Sequence, residues 1–261
     1  DVYEGASTPI TMFLATGSKK MGFVALIKVF LVCFVLGQAV MVSEIQLAFA
    51  VLAALTMTVG NVVAISQTNI KRMLAYSSIS QAGYLMIMLA VGTEYALVGG
   101  LFHMITHVFM KGGAFIVVAA LSYGALGEHL NDYKGLAKRA PFVAFAMMLF
   151  LFSLAGIPPL AGFVSKFVLF SSAISEPGAP ASMQWVWLVL VAVVNSAISL
   201  YYYARVVKFM YVEEGESKEP ISLPKAYSLA IAICALAVVV IGLYPEPVIS
   251  ACELAAAALL S

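Results

Sequence analysis

His103, His107 and Lys111 stand four residues apart in the stretch GLFHMITHVFMKGGAF, residues 100–115. On a helix such spacing stacks three side chains along one face, drifting about 40° per step. Histidine titrates near neutral pH, and its two ring nitrogens let it pass a proton through. A lysine forced into apolar surroundings loses its preference for the charged form and can then take up and release a proton. The ladder therefore offers proton relay. Histidines at i, i+4 are also a common zinc pair. No third Cys, Asp or Glu shares the face, and Lys111 is a poor neighbour for a cation, so no metal is expected. Two histidines hydrogen-bonded to neighbouring helices remain the plainer alternative.

The solvent around the ladder follows from composition. The chain of 261 residues is 63% hydrophobic and 10% charged, with a mean hydropathy of +1.02. Soluble domains carry about 25% charged residues. The composition predicts an all-α, polytopic membrane helix bundle, a single membrane domain over residues 1–261. A net charge of +1 offers no basic surface for nucleic acid. Cys33, Cys234 and Cys252 are widely separated in or beside apolar segments and read as packing residues. The opening DVYEGASTP has no Met and no basic n-region. It reads as a loop rather than a natural start, and predicts a C-terminal fragment of a longer subunit.

About 20 apolar residues span a bilayer core of about 30 Å. The pattern predicts seven spans, near 8–36, 45–66, 70–92, 95–122, 141–175, 183–211 and 225–249, with a polar stretch over 123–141. The fifth is too long for one straight crossing, at about 52 Å. It contains LAGIPPLAGF, where Pro158 and Pro159 remove backbone donors and break the helix. It reads as one discontinuous helix, with two separate short spans as the alternative. Irregular backbone at that depth needs protein or a water cavity around it.

Charge placement fits the count. Strict alternation puts Lys71, Arg72, Lys134, Lys138, Arg139, Arg205, Lys208, Lys218 and Lys225 on one side, and Glu44, Glu94, Glu176 and Glu246 on the other. The positive-inside rule then makes the basic side cytoplasmic. The remaining basic residues are Lys19, Lys20, Lys28, Lys111 and Lys166, all within spans. Lys28 can snorkel, and Lys20 points about 100° away from Lys19. A lysine at the bilayer centre costs about 2.5–3.5 kcal/mol, so Lys19, Lys111 and Lys166 need a reason. One available to Lys166 is a backbone carbonyl freed at the Pro break. All 13 acidic residues are expected in loops or at helix ends, so the buried lysines have no carboxylate partner in the spans.

Uncharged polar residues are patterned as well. Ser77, Ser80, Gln81 and Tyr84 share a face of the third span, and Asn195, Ser199 and Tyr202 a face of the sixth. They either glue helices together or line a path holding ordered water. Gly99, Gly100, Gly112 and Gly113 would let neighbours approach the fourth span closely.

Four stretches, DVYEGASTPITMFLATGSK, SQTNIKRMLAYSSISQAGY, HMITHVFMKGGAF and LAGIPPLAGFVSKFVLF, resemble the antiporter-like subunits of respiratory complex I and its relatives. The first two, with SAISLYYYARVV, are most like the N-type subunit of NADH–quinone oxidoreductase, and the order holds along almost the whole chain. The resemblance implies half of an inverted-repeat, antiporter-like fold, here the second half. The other half would carry a membrane glutamate and a further lysine. By position, Lys19 matches the lysine of the family's eighth helix. His103, His107 and Lys111 match the titratable stretch of the eleventh, and Lys166 the lysine beside the break of the twelfth. The HxxxHxxxK ladder departs toward the L-type, M-type and multisubunit cation/proton antiporter cousins.

The expected function is thus proton translocation in a complex I-like assembly, relayed by Lys19, His103, His107, Lys111 and Lys166. Its partners would be other membrane subunits and the lipid bilayer. The membrane would be a prokaryotic cell membrane or that of an energy-transducing organelle. No Rossmann glycines, cluster cysteines or flavin motif occur, so no cofactor is expected and redox chemistry would lie in other subunits. The alternative is a subunit of a multisubunit cation/proton antiporter or membrane-bound hydrogenase without quinone chemistry. A seven-helix receptor or retinal protein fits by count only, because a Schiff-base lysine wants a membrane carboxylate.

Overall fold

The structure, a computed structural model, describes residues 2–30, 42–175, 183–215 and 219–260, with Val42 in its backbone alone. Residues 31–36 of the first expected span, Cys33, Glu176 and Lys218 lie outside the described residues. The described chain is helical apart from its connections and one isolated bridge between Asn69 and His129. Its helices are α1 (Val2–Gly5), α2 (Thr8–Phe13), α3 (Lys19–Phe30), α4 (Val42–Ser66), α5 (Ile70–Val91), α6 (Glu94–Tyr123), α7 (Leu136–Arg139), α8 (Pro141–Ala155), α9 (Ala161–Ser171), α10 (Val186–Tyr211), α11 (Lys225–Leu243) and α12 (Glu246–Leu260).

Among the described residues six helical segments are long and apolar enough to cross a membrane: Thr8–Phe30, Ser43–Ser66, Ile70–Val91, Glu94–Tyr123, Val186–Tyr211 and Lys225–Leu243. The seventh crossing is α8 with α9. At 1.5 Å per residue they extend about 22 Å and about 16 Å, each too short alone. Their contacts along α6 settle the alternatives. Phe150 meets Gly113, Ser153 and Gly162 both meet Met110, Ser165 meets His103, and Leu169 meets Gly99. This steady antiparallel progression makes the pair one broken crossing. Gly156 turns the chain at φ 93°, a left-handed value that glycine adopts without strain. The Pro158–Pro159 bond is cis.

Two features depart from the expected spans. The seventh span does not run to 249. It stops at Leu243, and after Pro245 the chain continues as α12, which packs on α6. Proline fixes its own φ and lacks an N–H, so it starts a new helix more readily than it continues one. Glu253, expected at a helix end, consequently sits in the middle of α12, on its exposed face.

The first span is also not one continuous α-helix. A π-turn, Leu14–Ser18, separates α2 from α3. Buried positions show its effect. Thr8, Thr11 and Ala15 follow steps of three and four, and Lys20, Phe23, Ile27 and Phe30 do so again. Between Ala15 and Lys20 the step is five. The wide turn takes up one extra residue, so the inward stripe passes to Lys20 rather than to Lys19.

Capping explains where the central helices start. Asn69 accepts from the Arg72 N–H at 3.1 Å, and Thr93 from the Ala96 N–H at 3.3 Å. Both satisfy N–H groups that the first turn leaves unpaired. Glycines let α4 and α5 touch. A Cβ on Gly60 would lie 2.6 Å from Ser80 N, and one on Gly83 2.6 Å from Met57 N. In a membrane such backbone contact drives helix association, because lipid is as apolar as the side chains. α6 lies at the centre, against α2, α5, α8, α9, α11 and α12.

The basic turns meet at one end of the bundle. The Ile70 N–H donates to Glu128 O, Leu130 N–H to Thr68 O, Gly135 N–H to Phe209 O and Ile221 N–H to Arg139 O. Lys71 pairs with Glu128 at 3.0 Å. Arg205 donates to the carbonyl oxygens of Ile65, at 2.9 Å, and Gln67, at the negative end of α4. The stretch 123–141 is therefore an ordered clasp. It contains a 3₁₀ turn, Leu130–Tyr133, and α7.

Candidate functional site

All three rungs of the ladder are buried. His103, His107 and Lys111 are each 0% exposed on α6, over about 12 Å of helix. Lys111 Nζ donates to Ser77 Oγ, which also accepts from Tyr203 Oη at 2.9 Å. His103 Nε2 lies 3.0 Å from Gln81 Oε1, and Nδ1 lies 2.9 Å from Ser165 Oγ. The two histidine rings are 6.2 Å apart. Neither nitrogen of His107 has a hydrogen-bond partner among the described residues.

Lys166 occupies the helix break. Its Nζ donates to Leu154 O at 2.9 Å, Ala155 O at 3.1 Å and Ser196 Oγ at 2.8 Å. Three acceptors match the three hydrogens of an ammonium. Two of them are carbonyls that the end of α8 leaves unpaired, at its negative pole. The backbone-carbonyl reading of Lys166 is thus visible in its bonds. Nζ also lies 4.8 Å from the centre of the Tyr84 ring, and that ring meets His103 edge-on at 6.5 Å. Gln81 Nε2 donates to Leu154 O at 3.3 Å. A single carbonyl therefore links Lys166 to the amide that holds His103.

Lys19 and Lys20 divide their roles. Lys19 is half-exposed and donates to Ser78 O on α5. It lines a cavity of about 400 Å³ with Tyr3, Glu4, Arg72 and Ser78. Lys20 is buried, and its Nζ has no hydrogen-bond partner among the described residues. Lys20, Lys111 and Lys19 all lie within electrostatic reach of His107. Sequence reasoning left Lys20 out because a continuous helix turns it away, and the π-turn reverses that.

The polar residues of the third span split. Ser77 and Gln81 touch titratable groups. Tyr84 packs against two of them. Ser80 Oγ is buried without a hydrogen-bond partner among the described residues. Those of the sixth span form a clamp on α4, and the Tyr202 ring lies 4.5 Å from that of Tyr203. Asn61 Nδ2 donates to Asn195 O and Oδ1, both at 3.0 Å, while Tyr202 Oη donates to Asn61 Oδ1 at 2.8 Å. Asn195 Nδ2 reaches Thr58 Oγ1 at 3.1 Å. Ser199 Oγ donates back to Ser196 O, in its own helix, at 2.7 Å. Asn195 and Tyr202 thus join α10 to α4. Gly99, Gly100 and Gly113 sit at close contacts as expected, whereas Gly112 has ordinary room.

Sequence reasoning missed Ser78, Ser165, Ser196 and Tyr203 as well as Lys20. Ser165 and Ser196 carried a faint signal, being hydroxyls inside apolar runs that face a break. Six bases from α3, α6 and α9 therefore surround one lane, and among the described residues no carboxylate bonds to any of them. Such an arrangement can hold and exchange protons, with hydroxyls and an amide orienting the bases.

The family described as NADH:quinone oxidoreductase/Mrp antiporter, TM, matches residues 1–199. F(420)H(2) dehydrogenase subunit N of Methanosarcina mazei is 47% identical over 257 residues, 95% of this chain and 50% of that relative. NADH-quinone oxidoreductase subunit N of Desulforamulus reducens is 44% identical over 256 residues, 98% of this chain and 51% of that relative. A chain of respiratory complex I from Thermus thermophilus with bound aureothin superposes with a TM-score of 0.77 at 32% identity. That match covers 96% of this chain and 52% of the other. The chain spans about half the length of the curated relatives it matches.

Proposed function

Because this chain belongs to the NADH:quinone oxidoreductase/Mrp antiporter membrane family, we propose that it is a proton-translocating part of a complex I-like membrane assembly. The carrying observation is the lane itself. Lys19, Lys20, His103, His107, Lys111 and Lys166 converge in the interior of an integral multi-pass bundle without a bonded carboxylate among the described residues. Burying such groups costs several kcal/mol each, and packing alone gives no return for it. Lys19, His103, His107, Lys111 and Lys166 relay the proton. Ser77 and Gln81 orient them.

Transfer along the lane follows from like charge. A proton on one base lowers the proton affinity of the next, so a charge change at one end moves protons at the other. His107 is the point at which water enters, since a buried imidazole with neither nitrogen bonded is costly unless water reaches it. Lys19 lies on the cavity side, where an acidic partner from the rest of the subunit or a neighbouring subunit would face it. The sequence carries no Rossmann glycines, cluster cysteines or flavin motif, so this reading assigns electron transfer to other subunits. The basic end of the bundle is cytoplasmic by the positive-inside rule. The membrane is a prokaryotic cell membrane or that of an energy-transducing organelle. The two named relatives differ in electron donor, so the donor is that of the parent assembly.

A second reading is favoured by the HxxxHxxxK ladder, namely a subunit of a multisubunit cation/proton antiporter or membrane-bound hydrogenase without quinone chemistry. The test is the full assembly reconstituted in vesicles, comparing wild type with Lys19→Ala. The relay reading expects protons moved per electron to fall at least several-fold, with no change when potassium replaces sodium. Undiminished coupling in Lys19→Ala removes Lys19 from the relay. Dependence on sodium supports the antiporter reading.

A further inference from the structure

His103 is held in a way that fits two charge states. Gln81 Nε2 donates to Leu154 O at 3.3 Å, which leaves Oε1 as the acceptor 3.0 Å from His103 Nε2. His103 Nε2 must therefore carry hydrogen in either state, and an amide oxygen does not carry a proton onward. The variable position is Nδ1. It lies 2.9 Å from Ser165 Oγ, whose hydroxyl is also 3.2 Å from Gly162 O, one turn back in α9. Ser165, like His103, is 0% exposed.

These distances define two complete hydrogen-bond patterns. With neutral His103, the Ser165 hydroxyl donates to Nδ1. With protonated His103, Nδ1–H donates to Ser165 Oγ, and the hydroxyl rotates to donate to Gly162 O. No polar group of the set loses its partner in either state. Fixed partners would satisfy one state and penalise the other, because an unmet buried donor or acceptor is expensive. Positive charge on Lys166 of α9 or on Lys19 and Lys20 of α3 repels an imidazolium at His103 as like charge, while His107 of α6 and Tyr84 of α5 lie against its ring. The bond that rotation creates is what compensates.

We propose that Ser165 is the positioning residue that lets His103 carry a relayed proton, its hydroxyl rotating between Nδ1 and the Gly162 carbonyl. This rests on the relay reading above. In the step, the hydroxyl turns to Gly162 O and frees the Nδ1 lone pair, which takes one proton released by a neighbouring base of the lane and carried by water. Imidazole becomes imidazolium, and the donor loses the same single positive charge. Ser165 exchanges hydrogen bonds only.

The experiment compares wild type with Ser165→Ala, Ser165→Thr and His103→Gln. The full complex is reconstituted in phospholipid vesicles, and protons moved per electron are measured from pH 6 to about 9, normalised to assembled complex. Removing the Nδ1 acceptor disfavours the imidazolium, so more acid is needed to charge His103. Ser165→Ala should lower pumping about tenfold at neutral pH and move the profile about one unit to the acid side. Ser165→Thr, which keeps a hydroxyl, should restore most of the rate and the original profile. If His103→Gln stops pumping while Ser165→Ala keeps the wild-type rate and profile, the switch is overturned and the relay stands. Equal impairment in Ala and Thr with an unmoved profile also overturns it, as a packing effect. Normal pumping by His103→Gln removes the relay through His103, and the switch with it.

Discussion

Gln81 on α5 and His103 on α6 meet across the centre of the bundle, with Oε1 and Nε2 3.0 Å apart. The same amide donates to Leu154 O, an oxygen that Lys166 also uses. One side chain thereby ties the ladder to the helix break. Gln81→Leu should leave a buried imidazole N–H without an acceptor, at a cost of about 1–3 kcal/mol. The expected readout is a lower thermal midpoint of the assembled complex together with weaker pumping. An unchanged midpoint would show that His103 finds another partner.

Lys166 closes the end of α8. Lys166→Met removes the charge and one of the two side-chain donors at each carbonyl, leaving Leu154 O with Gln81 Nε2 and Ala155 O with Ser196 Oγ. Arg keeps the charge but presents a planar fork where a compact ammonium fits. Both variants should destabilise the break, Met by about 2–4 kcal/mol. A lower thermal midpoint of the assembled complex would detect it, and a wild-type midpoint in both would contradict this account.

The α4–α5 contact has no room for a side chain at Gly83, where the obstacles are Met57 N and Ala53 O rather than a movable side-chain tip. Gly83→Val should force the two helices apart and cut the assembled amount several-fold. Gly22→Ala is the control, because nothing lies within 4 Å of a Cβ there. Equal assembly of both variants would refute the contact.

One surface pair carries a pH signature. Lys208 Nζ lies 2.9 Å from Glu213, and its hydrogen bond and charge hold that carboxyl below the usual carboxylate range. A folded value below the unfolded one gives stability that is present above the ordinary carboxylate range and lost as pH falls through the folded value. The pair is exposed, so the effect is small. Glu213→Gln should narrow the stability difference between neutral and acid pH, as read by thermal unfolding.

Most of the spans and the break were legible because each has a strong local cause. Apolar runs set length, and Pro158 and Pro159 remove donors. The α2–α3 π-turn was not legible. LATGS carries a single Gly17 and no proline, and the extra residue shows only in which positions are buried. That hid Lys20, which a regular helix turns outward. Ser165 and Ser196 were hidden for another reason. A lone hydroxyl in an apolar helix reads the same whether it bonds its own backbone or a neighbour. Periodicity likewise put Asn195 and Tyr202 on one face without deciding between helix glue and a lined path, because their partners on α4 could be known only from packing. Those partners are Asn61 and Thr58.

The central claim is that the buried bases carry protons. Lys111 tests it most directly, being fully buried in the middle of the lane with its Nζ donating to Ser77 Oγ. The measurement is protons moved per electron by the complete assembly carrying Lys111→Ala, in sealed vesicles, with electron transfer followed in the same sample. The account predicts that electron transfer persists while protons per electron fall at least several-fold. Full proton yield in an assembled Lys111→Ala complex would contradict it.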